Sequence, residues 1–378
     1  MASINLQGDT SGSISISAPS VAGSNTLTLP ATTQTLATQN ALGVRNLIIN
    51  GDMRIAQRGT SVSGKTTSGY YTCDRWNHVF STAGTWTFTQ DTDVPSGQGF
   101  ANSLKMACTT ANASLSASSS FQLHYRFEGQ HLQHLKKGTS NAESVTLSFW
   151  IKSNKTGTYQ VNIQDRDNTR MISSTYTIDS ADTWEKKILT FAGDTTGAFD
   201  NDNNDSIRMA WFLASGSDYN TGSVPTSWEA TDTTDLAAGL TVNLADSTSN
   251  YLNITGVQLE VGTEATPFEH RPYDMELQRC QRYYHQGMYA FMSSSATTLI
   301  YNLQFPVTMR TTPTETHRYP ETGGVTNDVY NIATAATPTF VPDGSFADIN
   351  GIRFAYDFDA GLTADDGYQT YFTFNAEL

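Results

Sequence analysis

Two groups of side chains in this 378-residue chain have types and spacing suited to chemistry. The first is aromatic. Asp74-Arg75-Trp76, Trp150 and Trp228 set large rings among hydrogen-bonding groups, and Tyr319, Tyr330 and Tyr371 add further rings late in the chain. An indole face stacks on the apolar face of a sugar while a nearby carboxylate accepts its hydroxyl hydrogens, so these are the candidates for carbohydrate binding. Each has a structural alternative. Asp74-Arg75-Trp76 also reads as a core tryptophan beside an Asp–Arg pair, because large aromatics are mostly buried. Trp150 alternates with Val145, Leu147, Phe149 and Ile151, which places it opposite their apolar face; the inner and outer faces of a sandwich strand read alike in sequence, so a buried Trp150 is its alternative. Trp228, in the polar stretch SVPTSWEATD, is either a recognition residue on a loop or a plug over one end of the fold. The three tyrosines read as loop or outer-face residues.

The second group is the run Asp200-Asn201-Asp202-Asn203-Asn204-Asp205. Hard cations take several oxygen ligands, and Asp200, Asp202, Asn204 and Asp205 form a donor set suited to calcium. The run is not an EF-hand loop: its sixth position is not glycine and its twelfth is Trp211. A solvated turn is the alternative, given the turn preference of Asn and Asp. No other cofactor is expected. His131 and His134 have the spacing of two ligands on one helical turn, but no third ligand follows them. There is no GxSxG elbow, and GDTSGS at residues 8–13 lies in a segment too poor in apolar residues to hold an oxyanion hole. The expectation is a binding protein, not an enzyme.

Alternating patterns supply the scaffold. Val145–Ile151, Tyr159–Ile163, Leu189–Phe191 and Ile207–Leu213 each repeat apolar residues at period two, the signature of strands with one buried face. A shorter run, Leu240, Val242 and Leu244, does the same. Leu252 and Ile254 are out of phase with Val257, Leu259 and Val261, a slip that a β-bulge at Thr255-Gly256 absorbs. Short strands with polar turns point to an all-β, jelly-roll β-sandwich spanning residues 44–273. Pro272 and Asp274 open a helix over residues 274–286, with Leu277, Cys280 and Tyr284 on one stripe. Residues 287–378 restart the strand pattern as a small C-terminal β domain. Residues 1–43 hold only short alternating pieces, Ile14-Ser15-Ile16 and Leu27-Thr28-Leu29, which cannot bury a core of their own.

Composition narrows the partners. The net charge is −14 and the lysines and arginines form no extended patch, which argues against nucleic acid and anionic lipid. No apolar run approaches the ~20 residues that span a bilayer. The first residues, MASINLQGDTSG, lack the basic and apolar regions of a signal peptide, so synthesis in a cytoplasm is expected. Cys73, Cys108 and Cys280 are odd in number and far apart, so no disulfide framework is expected.

Several blocks together resemble the tail fibres and receptor-binding proteins of tailed bacteriophages. They are GSNTLTLPATTQTLAT near the start, RNLIINGDMRIAQRG at 45–59 with YTCDRW at 71–76, VTLSFWIK at 145–152, and ITGVQLEVGTEATPFEHRPYDMELQRCQRYYHQ at 254–286. FPVTMRTTPT at 305–314 follows at the distance seen in that family. The resemblance implies a homotrimeric virion fibre with a sandwich similar to carbohydrate-binding modules. In it, residues 1–43 trimerise and dock on a tail adaptor, nozzle or other virion protein. The C-terminal domain faces the host receptor, a surface glycan or an outer-membrane component. A capsid fibre or decoration protein is the alternative on the particle. A glycan depolymerase tailspike is the enzymatic one, although such spikes usually carry long repeated β-helices and this chain has no such repeat.

Overall fold

Period-two alternation becomes strand at most of the places where the sequence shows it. The computed structural model describes residues 3–7, 11, 13–17, 45–292, 298–318, 330–331, 341–357 and 366–378. The chain divides into two units, Met1–Leu42 and Gly43–Leu378. In the first, β1 (Ser3–Gln7) and β2 (Ser13–Ser17) form an antiparallel pair running from Ser3 opposite Ser17 to Gln7 opposite Ser13. Leu27-Thr28-Leu29 lies outside the described residues.

The second unit opens with a long loop and then lays down β3 (Ser61–Lys65), β4 (Gly69–Tyr70), β5 (Asn77–Ser81), β6 (Thr85–Asp91), β7 (Ser103–Thr110), β8 (Ser120–Glu128), β9 (Val145–Ser153), β10 (Gly157–Asp165), β11 (Arg170–Ile178), β12 (Glu185–Phe191), β13 (Asp205–Ser215), β14 (Glu229–Ala230) and β15 (Tyr251–Val261). They assemble into a seven-stranded sheet, β14-β11-β10-β13-β8-β5-β4, and a six-stranded sheet, β12-β9-β15-β7-β6-β3. Every pairing in the two sheets is antiparallel. Phe149 and Ile151 of one sheet and Val161, Ile163 and Trp211 of the other are buried in a single core, so the fold is a β-sandwich.

The slip in β15 is a bulge. Ile254 and Thr255 face Ile151 and Trp150, and after the irregularity Gln258 faces Ser148. Gly256 at its centre has φ +61°, in the left-handed region that glycine enters freely. The Leu240–Leu244 alternation is not a strand. It becomes a connecting segment that ends in a 3-10 turn at Leu244–Asp246 and buries Val242 and Leu244. Three apolar side chains close a sandwich edge as readily as they fill a strand.

The helix is shorter than its stripe suggested. α1 spans Tyr273–Gln281, with Pro272 and not Asp274 at its N-cap. Tyr284 already belongs to β16 (Tyr284–Met292), because the aromatic-rich YYHQGMYAF segment favours strand. Beyond it come β17 (Thr298–Gln304), β18 (Thr314–Arg318), β19 (Tyr330–Asn331), β20 (Val341–Ala347), β21 (Gly351–Asp357) and β22 (Gly367–Asn375). They form one sheet in the order β16-β22-β18, with β19 on β22, and a second in the order β17-β21-β20. A separate core of Phe291, Leu303, Phe305, Met309, Phe372 and Phe374 lies among them. Nonetheless these strands share one unit with the sandwich, joined through the side chains described next. No helix among the described residues is long and apolar enough to cross a membrane.

Candidate functional site

The sequence blocks that stand out most form an architectural knot. Asn46 Oδ1 accepts from the backbone N–H groups of Ile48 and Leu259, and its Nδ2 donates to the Val257 carbonyl. Asn50 does the same between Ile55 and Asp74: Nδ2 donates to both carbonyls and Oδ1 accepts from Ile55 N–H. Gly51 lies so close to β15 that a Cβ there would sit 2.1 Å from the Val257 carbonyl oxygen. Arg271 crosses to Ile48 O at 3.0 Å and pairs with Glu276 of α1 at 3.2 Å. Buried polar groups paired this completely fix one chain path.

Asp74-Arg75-Trp76 belongs to that knot and leaves the list of surface candidates. Trp76 is fully buried, with its ring 5.1 Å from Tyr125 and 5.7 Å from Trp211, and its N–H donates to Asn50 O. An enclosed ring offers no face to a sugar. Asp74 is equally buried; both its oxygens accept from Gln57, and Arg58 stands 3.5 Å away. Burial pushes its carboxyl up to about 7, against the pull of Arg58 and Gln57. Arg75 is sandwiched on the ring of Tyr283 at 3.4 Å and pairs with Glu377.

The carboxylate run does not form a cation cage. Asp202 Oδ1 accepts from Asn204 N–H, Asp205 pairs with Arg208 at 2.9 Å, and Asp200 N–H donates to Asp167. Its oxygens turn to the loop's own amides and to arginine, as in a hydrogen-bonded turn. Among the described residues no three His, Cys, Asp or Glu side chains converge as a metal site. Where oxygens do converge, an ammonium fills the space. Lys137 Nζ lies 2.6 Å from Asp165, 3.2 Å from Asp194, and 2.6 and 2.7 Å from the carbonyls of Thr196 and Gly197. His131 and His134 fall in two separate 3-10 turns, Gly129–His131 and Gln133–Leu135.

Trp228 is partly buried and packs against the sandwich core. Its N–H donates to Ala192 O at 2.6 Å, and its ring lines a cavity of about 30 Å³ beside Lys137, Asp194 and Phe199. Tyr319 lies outside the described residues. Tyr330 is on β19 opposite Gln369, and half-buried Tyr371 is on β22 opposite Met288 and Arg318.

Trp150 keeps its place on the outer face of the six-stranded sheet, partly exposed, with Lys186 and Thr255 as its cross-strand neighbours. Extending the β9–β12 register by one residue sets Trp184 opposite Lys152 and diagonal to Trp150, a separation of roughly 7–8 Å. Tyr251 of β15 is diagonal to Lys152 on the other side, given Asn253 opposite Lys152. Polar groups fix these rings. Trp184 N–H donates to Asp93 Oδ1 at 3.0 Å, Lys152 pairs with Asp93, and Tyr251 O–H donates to Asp182 at 2.5 Å. Burial works against the Asp93 charge, but Lys152 and Trp184 hold its carboxyl below the usual range. Lys105 stands 5.2 Å over the Tyr251 ring. The result is a shallow strip of three partly exposed aromatics, with ammonium and carboxylate groups between them, on a rigid sheet. Sequence reasoning found Trp150 but missed Trp184 and Tyr251. The alternation of Trp184, Lys186 and Ile188 along ADTWEKKILTF was the available signal.

No protein-family model matches the chain, and no curated protein matches it. Among solved structures it is similar to the enzymatically active domain of a bacteriophage CBA120 tailspike protein at 12% identity and a TM-score of 0.29. That match covers 57% of this chain and 21% of the tailspike chain. It is also similar to a family 11 carbohydrate-binding module of a Clostridium thermocellum cellulosomal cellulase, at 14% identity and a TM-score of 0.26, over 54% of this chain and 98% of the module. Likenesses this distant leave the functional reading to the chain's own residues.

Proposed function

We propose that the chain is a homotrimeric fibre protein of a tailed-phage virion that binds glycan on the host surface without cleaving it. The observation that carries the glycan reading is the Trp150–Trp184–Tyr251 strip. Partly exposed rings with fixed charged neighbours suit a pyranose, whose apolar face stacks while its hydroxyls meet Lys and Asp. A strip this shallow binds one sugar weakly, and three copies on several fibres multiply the avidity. The blocks that resemble those of tail fibres support the virion reading, and Met1–Leu42, standing as its own unit, suits a docking role. Tyr330 and Tyr371 remain secondary contact candidates in the C-terminal strands.

The test combines mass, location and binding. Three copies of 41.2 kDa give about 124 kDa in solution, and a monomer at micromolar concentration overturns the trimer. Gold-labelled antibody should mark the tails of intact particles; labelling of heads instead makes it a capsid fibre. Purified protein should adsorb to host cells and leave their capsule intact. Release of soluble oligosaccharide would make it a depolymerase.

A further inference from the structure

The seven-stranded sheet carries a second polar face, unrelated to the aromatic strip. On the side away from the core, β8 presents Gln122, His124 and Arg126, and β13 presents Arg208 directly opposite Arg126. Like charges facing each other across a ladder are destabilising. The chain, at −14 overall, nevertheless gathers a third arginine here, exposed Arg166 in the turn after β10. Among the described residues one side-chain carboxylate answers them, and Arg126 Nη1 also donates to the Leu378 carbonyl at 2.7 Å. Asp205 Oδ2 is 2.9 Å from Arg208 Nη2 and 3.8 Å from Arg126 Nε. The buried Nε atoms of both arginines have no hydrogen-bond partner. Arg166 makes no ion pair among the described residues.

His124 adds a complementary group. It is 4% exposed, and its ring is fixed by Gln122. Gln122 Nε2 donates to Ser120 Oγ at 3.1 Å, which leaves its Oε1 to accept from His124 Nε2–H at 2.6 Å. With Nε2 as donor, Nδ1 of the neutral ring is an acceptor, and it has no partner. Burial keeps the ring neutral, and Arg208, Arg126 and Arg166 act in the same direction. Guanidinium donors in excess of their carboxylate thus stand beside an acceptor that lacks a donor. A hydroxyl supplies the missing donor, and a carboxylate fits the guanidinium fork.

We propose that the outer face of β8 and β13 is a binding site for a carboxylate-bearing saccharide. Arg126, Arg208 and Arg166 take its carboxylate, and His124 Nδ1 accepts a ring hydroxyl. This site does not depend on the aromatic strip.

The test is binding of the full chain to an array of uronate- and sialate-containing glycans beside their neutral counterparts, followed by titration calorimetry on the best binder. Carboxylated glycans should bind, their reduced (carboxyl to hydroxymethyl) forms should not, and affinity should fall as salt rises from ~50 to ~500 mM. Arg208→Gln should weaken binding about tenfold, and Arg208→Lys should not restore it, because the fork is lost. Exposed Arg166→Gln provides a variant that leaves the fold untouched, with a loss of about threefold expected. Trp150→Ala should leave this affinity unchanged. Absence of any carboxylated binder at millimolar glycan overturns the proposal. So does equal binding by folded Arg166→Gln and Arg208→Gln, or a preference for sulfated or phosphorylated sugars.

Discussion

Arg75 and Glu377, 302 positions apart, form an ion pair with side chains only 1% and 4% exposed. The guanidinium also stacks on Tyr283 and donates to the Arg126 carbonyl at 2.7 Å. Glu377 takes Arg58 at 3.3 Å, and Arg310 donates to its carbonyl at 3.0 Å. The end of the chain therefore closes the base of the sandwich. Glu377→Ala leaves buried Arg75 without its counter-charge and should cost ~3–5 kcal/mol, read as a lower denaturant midpoint at unchanged slope. A chain ending at Gln286 removes the same partner, so it should melt well below the full chain and not persist as an intact sandwich. A truncated form as stable as the full chain would show that the pair is dispensable.

Asp74 gives the knot a pH dependence. Its folded carboxyl titrates at about 7, against an ordinary value of 3.8, so the folded state holds the proton more tightly. Its contribution to stability is full below about pH 4 and is lost as pH rises through about 7. Urea titrations from pH 4 to 8 should show this fall, of order a few kcal/mol, in the native chain. Subtracting the profile of Asp74→Asn isolates it, and parallel profiles for the two proteins would refute the assignment.

Sequence patterning reached the sandwich because burial on one face imposes period two. It located the β15 bulge for the same reason: Leu252 and Ile254 cannot share a face with Val257 and Leu259 unless a residue is inserted. It went further than the structure allows where three or four apolar residues were the whole signal. Leu240–Leu244 satisfy a strand template or a covering segment equally well, and Tyr284 fits a helical stripe until a strand partner, Asn375, is present. The division of the sandwich from residues 287–378 looked clean because Arg75 and Glu377 carry no local mark of each other. The strip was half legible for a related reason. Trp150 sits inside an unmistakable alternation, whereas Trp184 and Tyr251 join it through cross-strand register that no single segment contains.

Glycines at two close approaches should be intolerant. Gly256 combines a φ of +61° with a Cβ position 2.5 Å from the Phe100 ring. Gly51 has backbone in the way, the Val257 carbonyl at 2.1 Å. Ring tilt can relieve part of the first clash but no side-chain motion relieves the second. Gly256→Ala should cost more than ~1 kcal/mol and Gly51→Ala more still, measured by thermal melting. A Gly51→Ala protein of native stability would mean that the entry loop and β15 can separate without cost.

Trp150 and Trp76 should respond to alanine in opposite ways. Trp76 is enclosed by Tyr125, Trp211 and the Asn50 carbonyl, so Trp76→Ala opens a cavity and should cost ~3–5 kcal/mol, with large loss of folded protein. Trp150 lies on the outer face and leaves no comparable void. Trp150→Ala should melt within a few degrees of the native chain yet bind host glycan several-fold less well, since stacking on one sugar is worth about 1 kcal/mol. In the assembled particle the loss should be larger, because each weakened site counts several times. Adding Trp184→Ala should deepen it and free Asp93 from one of its two partners. Adsorption unchanged in the folded double variant would remove the strip from host recognition and leave the arginine face of the opposite sheet as the surface to test.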